Sequence, residues 1–217
     1  MFNIVLHEPE KPDNTGNIGR TCVITGSALH LIYPIGFRLT RTNIHHAGLD
    51  YWDRLHLYKH DSYEDFKNYF KTLSNLIPVE ANAHIVGANA DFVGVNADSV
   101  GANADSVGAN TCGARPIGEK TPTIWYATTK AHKSYADVKY NDGDFIMFGK
   151  ESGGIPEEIL AKDEEHCIRI PMMENERSLN LSNSVAIVLY EALRQNDFNG
   201  MLKKGELHRL SYKNIKK

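Results

Sequence analysis

Cysteine is scarce in this chain, with three residues in 217, at Cys22, Cys112 and Cys167, and no Cys-x-x-Cys among them. So few and so scattered, they argue against a disulfide framework and a structural zinc site, and leave a reducing cytoplasm as the default location. Long apolar runs are missing too, and nothing approaches the roughly 20 residues of a membrane-spanning helix. The opening Met1-Phe2-Asn3-Ile4-Val5-Leu6 has neither a basic lead nor a small-residue cleavage site, so it reads as a first strand and not as a secretory signal. An excess of positive charge is also lacking. The net charge of −3 argues against a purely electrostatic nucleic-acid binder. The common phosphate and hydrolase signatures do not occur: there is no Gly-x-Gly-x-x-Gly, no Gly-x-x-x-x-Gly-Lys-[Ser/Thr], no Gly-x-Ser-x-Gly and no His-Glu-x-x-His. A classical dinucleotide site, a P-loop, a serine nucleophile elbow and a zincin helix are therefore unsupported.

What is present is ordinary for one globular domain, with 41% hydrophobic and 24% charged residues. Two segments stand apart. From Val79 a seven-residue unit recurs, with Val86-Gly-Ala-Asn-Ala-Asp-Phe and Val100-Gly-Ala-Asn-Ala-Asp-Ser as examples. A coiled coil is rejected, because one position per unit is reliably a large apolar group and glycine and asparagine recur. A low-complexity heptapeptide-repeat insertion in a surface loop, at about 79–120, is expected, with no catalytic residue in it. Residues 203–217 form a basic tail, in which Lys203, Lys204, Arg209, Lys213, Lys216 and Lys217 face only Glu206. That tail reads equally as a phosphate contact or as a solvated end. A single domain over 1–202, interrupted by the insertion, is the expected organisation.

Outside the insertion, strands and helices alternate. Strands are expected at Phe2–Leu6, Ala28–Tyr33, Leu55–Tyr58, Thr123–Ala127, Asp144–Phe148 and Cys167–Ile170. Helices are expected over Thr15–Ser27 with Asn14 as cap, over Asn43–Ala47, from an Asp61 cap through Phe66 and Phe70, from Pro156 to about Lys162, and from Leu181–Ser182 onward. The last carries Val185, Val188, Leu189 and Leu193 at helical spacing. Near-continuous apolar strands alternating with helices predict an α/β fold, a mostly parallel sheet with helices on both faces. Ligands of such sheets bind at the carboxyl ends of strands. Thr128, Gly149 and Pro171 each follow such an end.

Asn14-Thr-Gly-Asn-Ile-Gly-Arg20, Phe148-Gly-Lys-Glu151 with Gly154-Ile-Pro156, and Ile168-Arg-Ile-Pro-Met172 running on to Ser178-Leu-Asn-Leu-Ser-Asn183 stand in that order along the chain. Together with Ala47-Gly-Leu-Asp-Tyr51 and Thr128-Thr-Lys130, they resemble the three motifs of the SPOUT class of RNA 2′-O-methyltransferases. The resemblance covers residues 1–77 and 121–200. It is closest to the single-domain tRNA (cytidine/uridine-34-2′-O)-methyltransferases. It implies a C-terminal trefoil knot, S-adenosyl-L-methionine as cofactor, a homodimer, and the tRNA anticodon stem-loop as substrate, modified at the wobble nucleotide. It also implies a cofactor pocket lined by Ala127, Thr128, Gly149, Ile170, Met172, Ser178 and Leu179. Arg20, Asn14, Glu151, Ser178 and Asn180 become the catalytic and RNA-facing set, and Tyr190 a dimer-interface residue. No metal and no membrane are implied. The sequence departs from the pattern at His7, where an aromatic is usual, at Ser152-Gly153, which replaces a bulkier and often basic pair, and in the repeat. The alternatives are 2′-O-methylation of another RNA site and a non-catalytic RNA-binding module.

The chemistry suits these residue types. Methyl transfer to a ribose hydroxyl is an in-line displacement in which the protein supplies position and electrostatics. A guanidinium keeps its proton at ordinary pH, so Arg20 is expected to orient a phosphate or steady a developing oxyanion, not to act as a base; the resemblance implies that it does so from the partner protomer. Each residue also has a purely structural reading: Asn14, Ser178 and Ser182 as helix caps, Gly149 as a turn, Arg20 and Glu151 as solvated charges, and Tyr190 as a buried core or interface aromatic. Trp52 and Trp125 read as core or subunit-contact residues. His45-His46 read as solvated or RNA-facing, since adjacent helical positions diverge and no third metal ligand is apparent.

Overall fold

The structure, a computed structural model, describes residues 1–38, 51–75 and 121–208. The expected Asn43–Ala47 helix, His45-His46, the repeat insertion and the tail beyond residue 208 lie outside the described residues. Within them, seven parallel strands form one sheet in the order β3-β2-β1-β6-β4-β7-β5. The strands are β1 (Asn3–His7), β2 (Ala28–Ile32), β3 (Leu57–His60), β4 (Ile124–Ala127), β5 (Lys133–Ser134), β6 (Phe145–Phe148) and β7 (Cys167–Arg169). The helices are α1 (Pro12–Thr25), α2 (Tyr63–Asn75), α3 (Glu157–Leu160) and α4 (Leu181–Gln195). The expected α/β class and parallel sheet are therefore observed.

Strand alternation divides the core. Side chains two apart share a face, so Ile4, Leu6, Leu29, Leu31, Ile146 and Phe148 meet Ile18 and Cys22 of α1 and Val185, Val188 and Leu189 of α4. The other face packs Val5, Ile32, Phe145 and Met147 beneath Phe66 of α2 and Leu160 of α3. Each fully buried side chain of this size contributes about 1.5–3 kcal/mol. Both faces are covered, which explains why β1, β2 and β6 read as near-continuous apolar runs.

Several boundaries differ from expectation for local reasons. Helix α1 begins at Pro12, whose missing N–H is harmless at a first helical position. Asn14 is therefore inside the first turn and is not its cap. Helix α2 is capped by Ser62, whose Oγ accepts from the Asp65 N–H at 3.1 Å, while the Asp65 carboxylate accepts from Asp61 N–H at 3.1 Å. Asp61 thus donates its backbone N–H to the capped first turn and is not the cap itself. Strand β5 is only two residues long and carries no readable alternation.

Candidate active site at the carboxyl ends of the strands

The polypeptide leaves β1 through Glu8, whose backbone is left-handed at φ 51° and whose N–H donates to Ile32 O at 3.0 Å. It then runs Pro9-Glu10-Lys11 into α1. Lys11 offers no side-chain cap to that helix. The cap comes instead from Glu151, which follows β6. Its carboxylate accepts from Glu10 N–H at 2.8 Å, Lys11 N–H at 3.3 Å and the Asn14 amide at 2.8 Å. A carboxylate at a helix N-terminus satisfies otherwise orphaned N–H groups and lies at the positive end of the helix dipole.

Asn14 then passes the contact on. Its Oδ1 accepts from the Asn180 Nδ2 at 3.0 Å. Asn180 is the N-cap of α4, its Oδ1 accepting from Ser182 N–H at 2.9 Å, Ser182 Oγ at 2.7 Å and Asn183 N–H at 3.4 Å. The cap of the last helix is therefore Asn180, and neither Ser178 nor Ser182. One Glu151-Asn14-Asn180 chain joins three segments that lie far apart in sequence.

A second clamp runs the other way. The Glu10 carboxylate accepts from Ser152 N–H at 2.9 Å and Ser152 Oγ at 2.7 Å. These bonds hold the Glu10 carboxyl below its usual pKa. Glu10 thus gives its N–H to Glu151 and takes a bond from the residue after it. Sequence reasoning missed Glu10 and marked Ser152 only as a departure from the motif, because nothing local marks a carboxylate whose partner lies 142 residues away.

The loop after β6 closes tightly. Gly154 N–H donates to Lys150 O at 2.8 Å, and Gly154 has φ 70°, a conformation that suits glycine. A Cβ on Gly149 would lie 1.9 Å from the Gly154 carbonyl carbon, so only glycine fits where the loop crosses itself.

Between this loop, the β4 end and the 170–181 segment lies a cavity of about 460 Å³. Ala127, Thr128, Gly149, Ile170, Met172, Ser178 and Leu179 all line it, and so do Asn14, Glu151 and Asn180. Its size falls in the roughly 300–1,000 Å³ range of small-molecule sites. The wall mixes apolar side chains with hydroxyls and amides, as an adenosine-bearing ligand with a charged tail requires. Lys11, Lys130 and Lys150 also line it and were not anticipated.

Arg20 is not part of this cavity. It is exposed on α1, with its guanidinium 5.9 Å from the centre of the Tyr51 ring. Six helical residues separate it from Asn14, which is about 9 Å of rise and about 240° of rotation. Tyr51 is buried, and its hydroxyl donates to Gly16 O at 2.5 Å. Tyr190, expected to be buried, is 42% exposed in the single chain, because it lies on the outer side of α4. Ile187 on α4 and Ile24 on α1 are exposed with it, and Ile24 shares the Arg20 face, four residues on.

The two tryptophans divide. Trp125 is a core residue whose indole donates to Asp144 at 3.0 Å, and Trp52 lies half-buried beneath Gly19. His7 behaves as the aromatic it replaces, packing on Tyr63 with ring centres 5.9 Å apart, and burial lowers its pKa. Among the described residues no group of three or more His, Cys, Asp or Glu is placed to hold a metal. Cys22 and Cys167 are unpaired and buried, and burial raises both thiol pKa values.

Residues 1–94 and 117–190 match the SpoU rRNA Methylase family. The chain belongs to the SpoU rRNA Methylase family. A relative from Escherichia coli (strain K12), named tRNA (cytidine(34)-2'-O)-methyltransferase, is 36% identical over 201 residues, covering 92% of this chain and 97% of that protein. A solved structure described as giving insight into the 2-OH methylation of C/U34 on tRNA is 29% identical, with a TM-score of 0.64, covering 91% of this chain and 97% of that one. The SpoU methyltransferase AviRb from Streptomyces viridochromogenes, solved in complex with AdoMet, shares the fold at 15% identity and a TM-score of 0.61, covering 90% of this chain and 57% of that one.

Proposed function

We propose that this SpoU-family chain methylates the ribose 2′-hydroxyl of nucleotide 34, a cytidine or modified uridine, in tRNA anticodon loops, with S-adenosyl-L-methionine as methyl donor. The observation that carries the reading is a cavity to which all three motifs contribute. The substrate follows from the relative and the solved structure whose names specify position 34. A loop nucleotide suits the chemistry, since unstacked nucleotides can be splayed onto a protein surface.

Ala127, Ile170, Met172 and Leu179 would hold the adenosine, with Thr128, Ser178 and the backbone around Gly149 offering polar contacts. When bound, the cofactor supplies a methyl group on a sulfonium, a leaving group that needs no acid. The chain's own residues position and exclude water. Glu151, Asn14 and Asn180 fix the three walls against one another, so that the ribose hydroxyl meets a rigid site.

Arg20 completes the site from a second copy. Its exclusion from its own cavity, and its place on an α1 face shared with Ile24, support a homodimer built on α1 and on the exposed Ile187 and Tyr190 of α4. A knot belongs to the same proposal. Strand β7 runs between β4 and β5, which are consecutive in sequence, and the backbone of 128–135 bonds to it on both sides, through Thr128 N–H to Ile168 O and Tyr135 N–H to Arg169 O. Residues 1–202 form the catalytic domain, with the repeat as a dispensable insertion and the protein acting in the cytoplasm. No helix among the described residues is long and apolar enough to cross a membrane.

The test is methylation of total tRNA with labelled cofactor, followed by mapping of the modified nucleotide. A 2′-O-methyl group at position 34 is expected, and one elsewhere overturns the substrate. Arg20→Ala is expected to abolish methylation while leaving cofactor binding by calorimetry intact. Mixing Arg20→Ala with Gly149→Ala protein is expected to restore activity, since a mixed dimer holds one complete site. No recovery on mixing would end the composite-site reading. A variant lacking 81–115 is expected to keep its activity.

A further inference from the structure

Lys150 has a placement that the cofactor cavity does not require. Its backbone is pinned by the Gly154 N–H bond to its carbonyl. Its stem lies across Gly153, where a Cβ would meet the Lys150 Cε at 3.3 Å and Cγ at 3.9 Å. Its ammonium is 3.3 Å from the Glu8 carboxylate, and its side chain is 38% exposed. Glu8 reaches that position by leaving β1 in a left-handed conformation, which is uncommon outside glycine and asparagine. Base, stem and tip of one lysine are thus each held, at the mouth of a cavity that Lys150 itself lines.

Any ribose hydroxyl brought to such a cavity carries a 3′-phosphodiester beside it, so a cation at the mouth has a defined ligand. The neighbouring charges leave Lys150 suited to that role. Glu151 is occupied by three N–H donors and Glu10 by Ser152. Lys130 is drawn to Glu157 at 2.5 Å. Glu8 is the acid paired with Lys150, with the Glu10 carboxylate also within its electrostatic reach, and a partly exposed pair of this kind is weak enough for a phosphate to share. An ammonium has three N–H donors, so it can keep Glu8 and bind a phosphate oxygen together.

We infer that Lys150, lying over Gly153 and steered by Glu8, is the residue that receives the RNA phosphate next to the methylated ribose. The inference rests on the RNA-methyltransferase reading above. Lys150 becomes a substrate-binding residue, Glu8 a positioning residue, and Gly153 the gap that lets the lysine lie flat.

The experiment measures tRNA affinity against salt, kcat and KM for tRNA, and cofactor affinity in the full-length protein. Lys150→Met is expected to weaken tRNA binding roughly five-fold and to lower the salt slope by about 0.7–0.9, the signature of one lost phosphate contact. The KM for tRNA rises while cofactor affinity stays unchanged. Lys150→Arg keeps the slope. Gly153→Ala crowds the stem by a few tenths of an ångström and gives a loss smaller than that of Lys150→Met. Glu8→Gln leaves the slope intact, because it removes the tether and not the cation. Lys67→Met, which deletes a paired lysine on α2, changes nothing and controls for net charge. An unchanged slope in Lys150→Met, an equal loss in Glu8→Gln, or a concurrent loss of cofactor affinity would each overturn the inference. Wild-type protein that methylates tRNA while Lys150→Met matches it defeats this inference alone. Wild-type protein that neither methylates nor binds tRNA defeats the reading beneath it as well.

Discussion

The α2 face of this sheet and the carboxyl ends of its strands are held together by different forces. Under α2 the cohesion is apolar and aromatic: Phe66 packs edge-on against the rings of His60 and Phe145, at 5.3 and 5.9 Å between centres, and Phe70 against Phe145 at 5.2 Å. At the cavity the cohesion is polar, a few directed bonds between segments 137 to 166 residues apart. Burial is non-directional and tolerates small shifts, whereas hydrogen bonds lose strength steeply with angle and distance. Packing of the α2 kind therefore contributes chiefly to whether the chain folds, and the polar bonds at the cavity to whether a folded chain has the right shape to act.

The largest expected effect lies under α2. Phe66→Ala removes a fully buried ring and is expected to cost about 3–5 kcal/mol in denaturant unfolding, with residual folded protein still binding cofactor. At the cavity, Gly149→Ala forces two backbone segments apart. It is expected to lower kcat/KM about 100-fold, equivalent to about 2.7 kcal/mol, while the unfolding midpoint moves far less than in Phe66→Ala. If both variants lose stability equally, the division between the two regions fails.

Asn180 divides the comparison more finely, since it both caps α4 and donates to Asn14. Asn180→Ala is expected to cost about 0.5–2 kcal/mol of stability together with activity. Asn180→Ser keeps a capping oxygen and is expected to recover most of the stability but not the activity, measured by thermal unfolding and methyl transfer.

The smallest expected effect is a pH dependence arising under α2. His30 Nδ1 and His60 Nε2 are 3.0 Å apart, and burial lowers both pKa values, that of His30 well below the usual imidazole value. Below about pH 6.5 the unfolded chain binds protons that the folded chain refuses. This contribution to stability is therefore complete above pH 6.5 and is lost as pH falls below it. The midpoint difference between pH 7.5 and 5.5 is expected to shrink in His30→Phe, whatever the absolute stability of that variant. An unchanged difference would place the acid sensitivity elsewhere.

Much of the framework was legible because local pattern carries it. The apolar runs marked β1, β2, β4, β6 and β7 to within one or two residues, and the spacing of Val185, Val188 and Leu189 marked α4. The cavity lining was legible only through motif resemblance, since Ala127, Ile170 and Leu179 have no distinctive chemistry of their own. What escaped was the partner of each polar group. Asn14 looked like a local cap, but its helix takes a carboxylate from the loop after β6 instead. Tyr190, expected in a dimer interface or in the core, lies on the side of α4 turned away from the sheet and is exposed in the single chain. Arg20 stands in the same motif as Asn14, and helical rotation sends the two to different surfaces.

Residue order alone determined the layered parallel architecture, since alternating apolar strands and amphipathic helices bury their surface well in few other ways. It also supplied the residue types that a methyl-transfer site uses. Tertiary structure decided which of them meet: Glu151 with Asn14, Asn14 with Asn180, Glu10 with Ser152, Lys150 with Glu8. Each pairing depends on strand order, and strand order brings β1 beside β6 across more than half the chain. Hydrophobic patterning is a property of neighbours in sequence, while a hydrogen bond between distant residues exists only once the sheet has assembled around it.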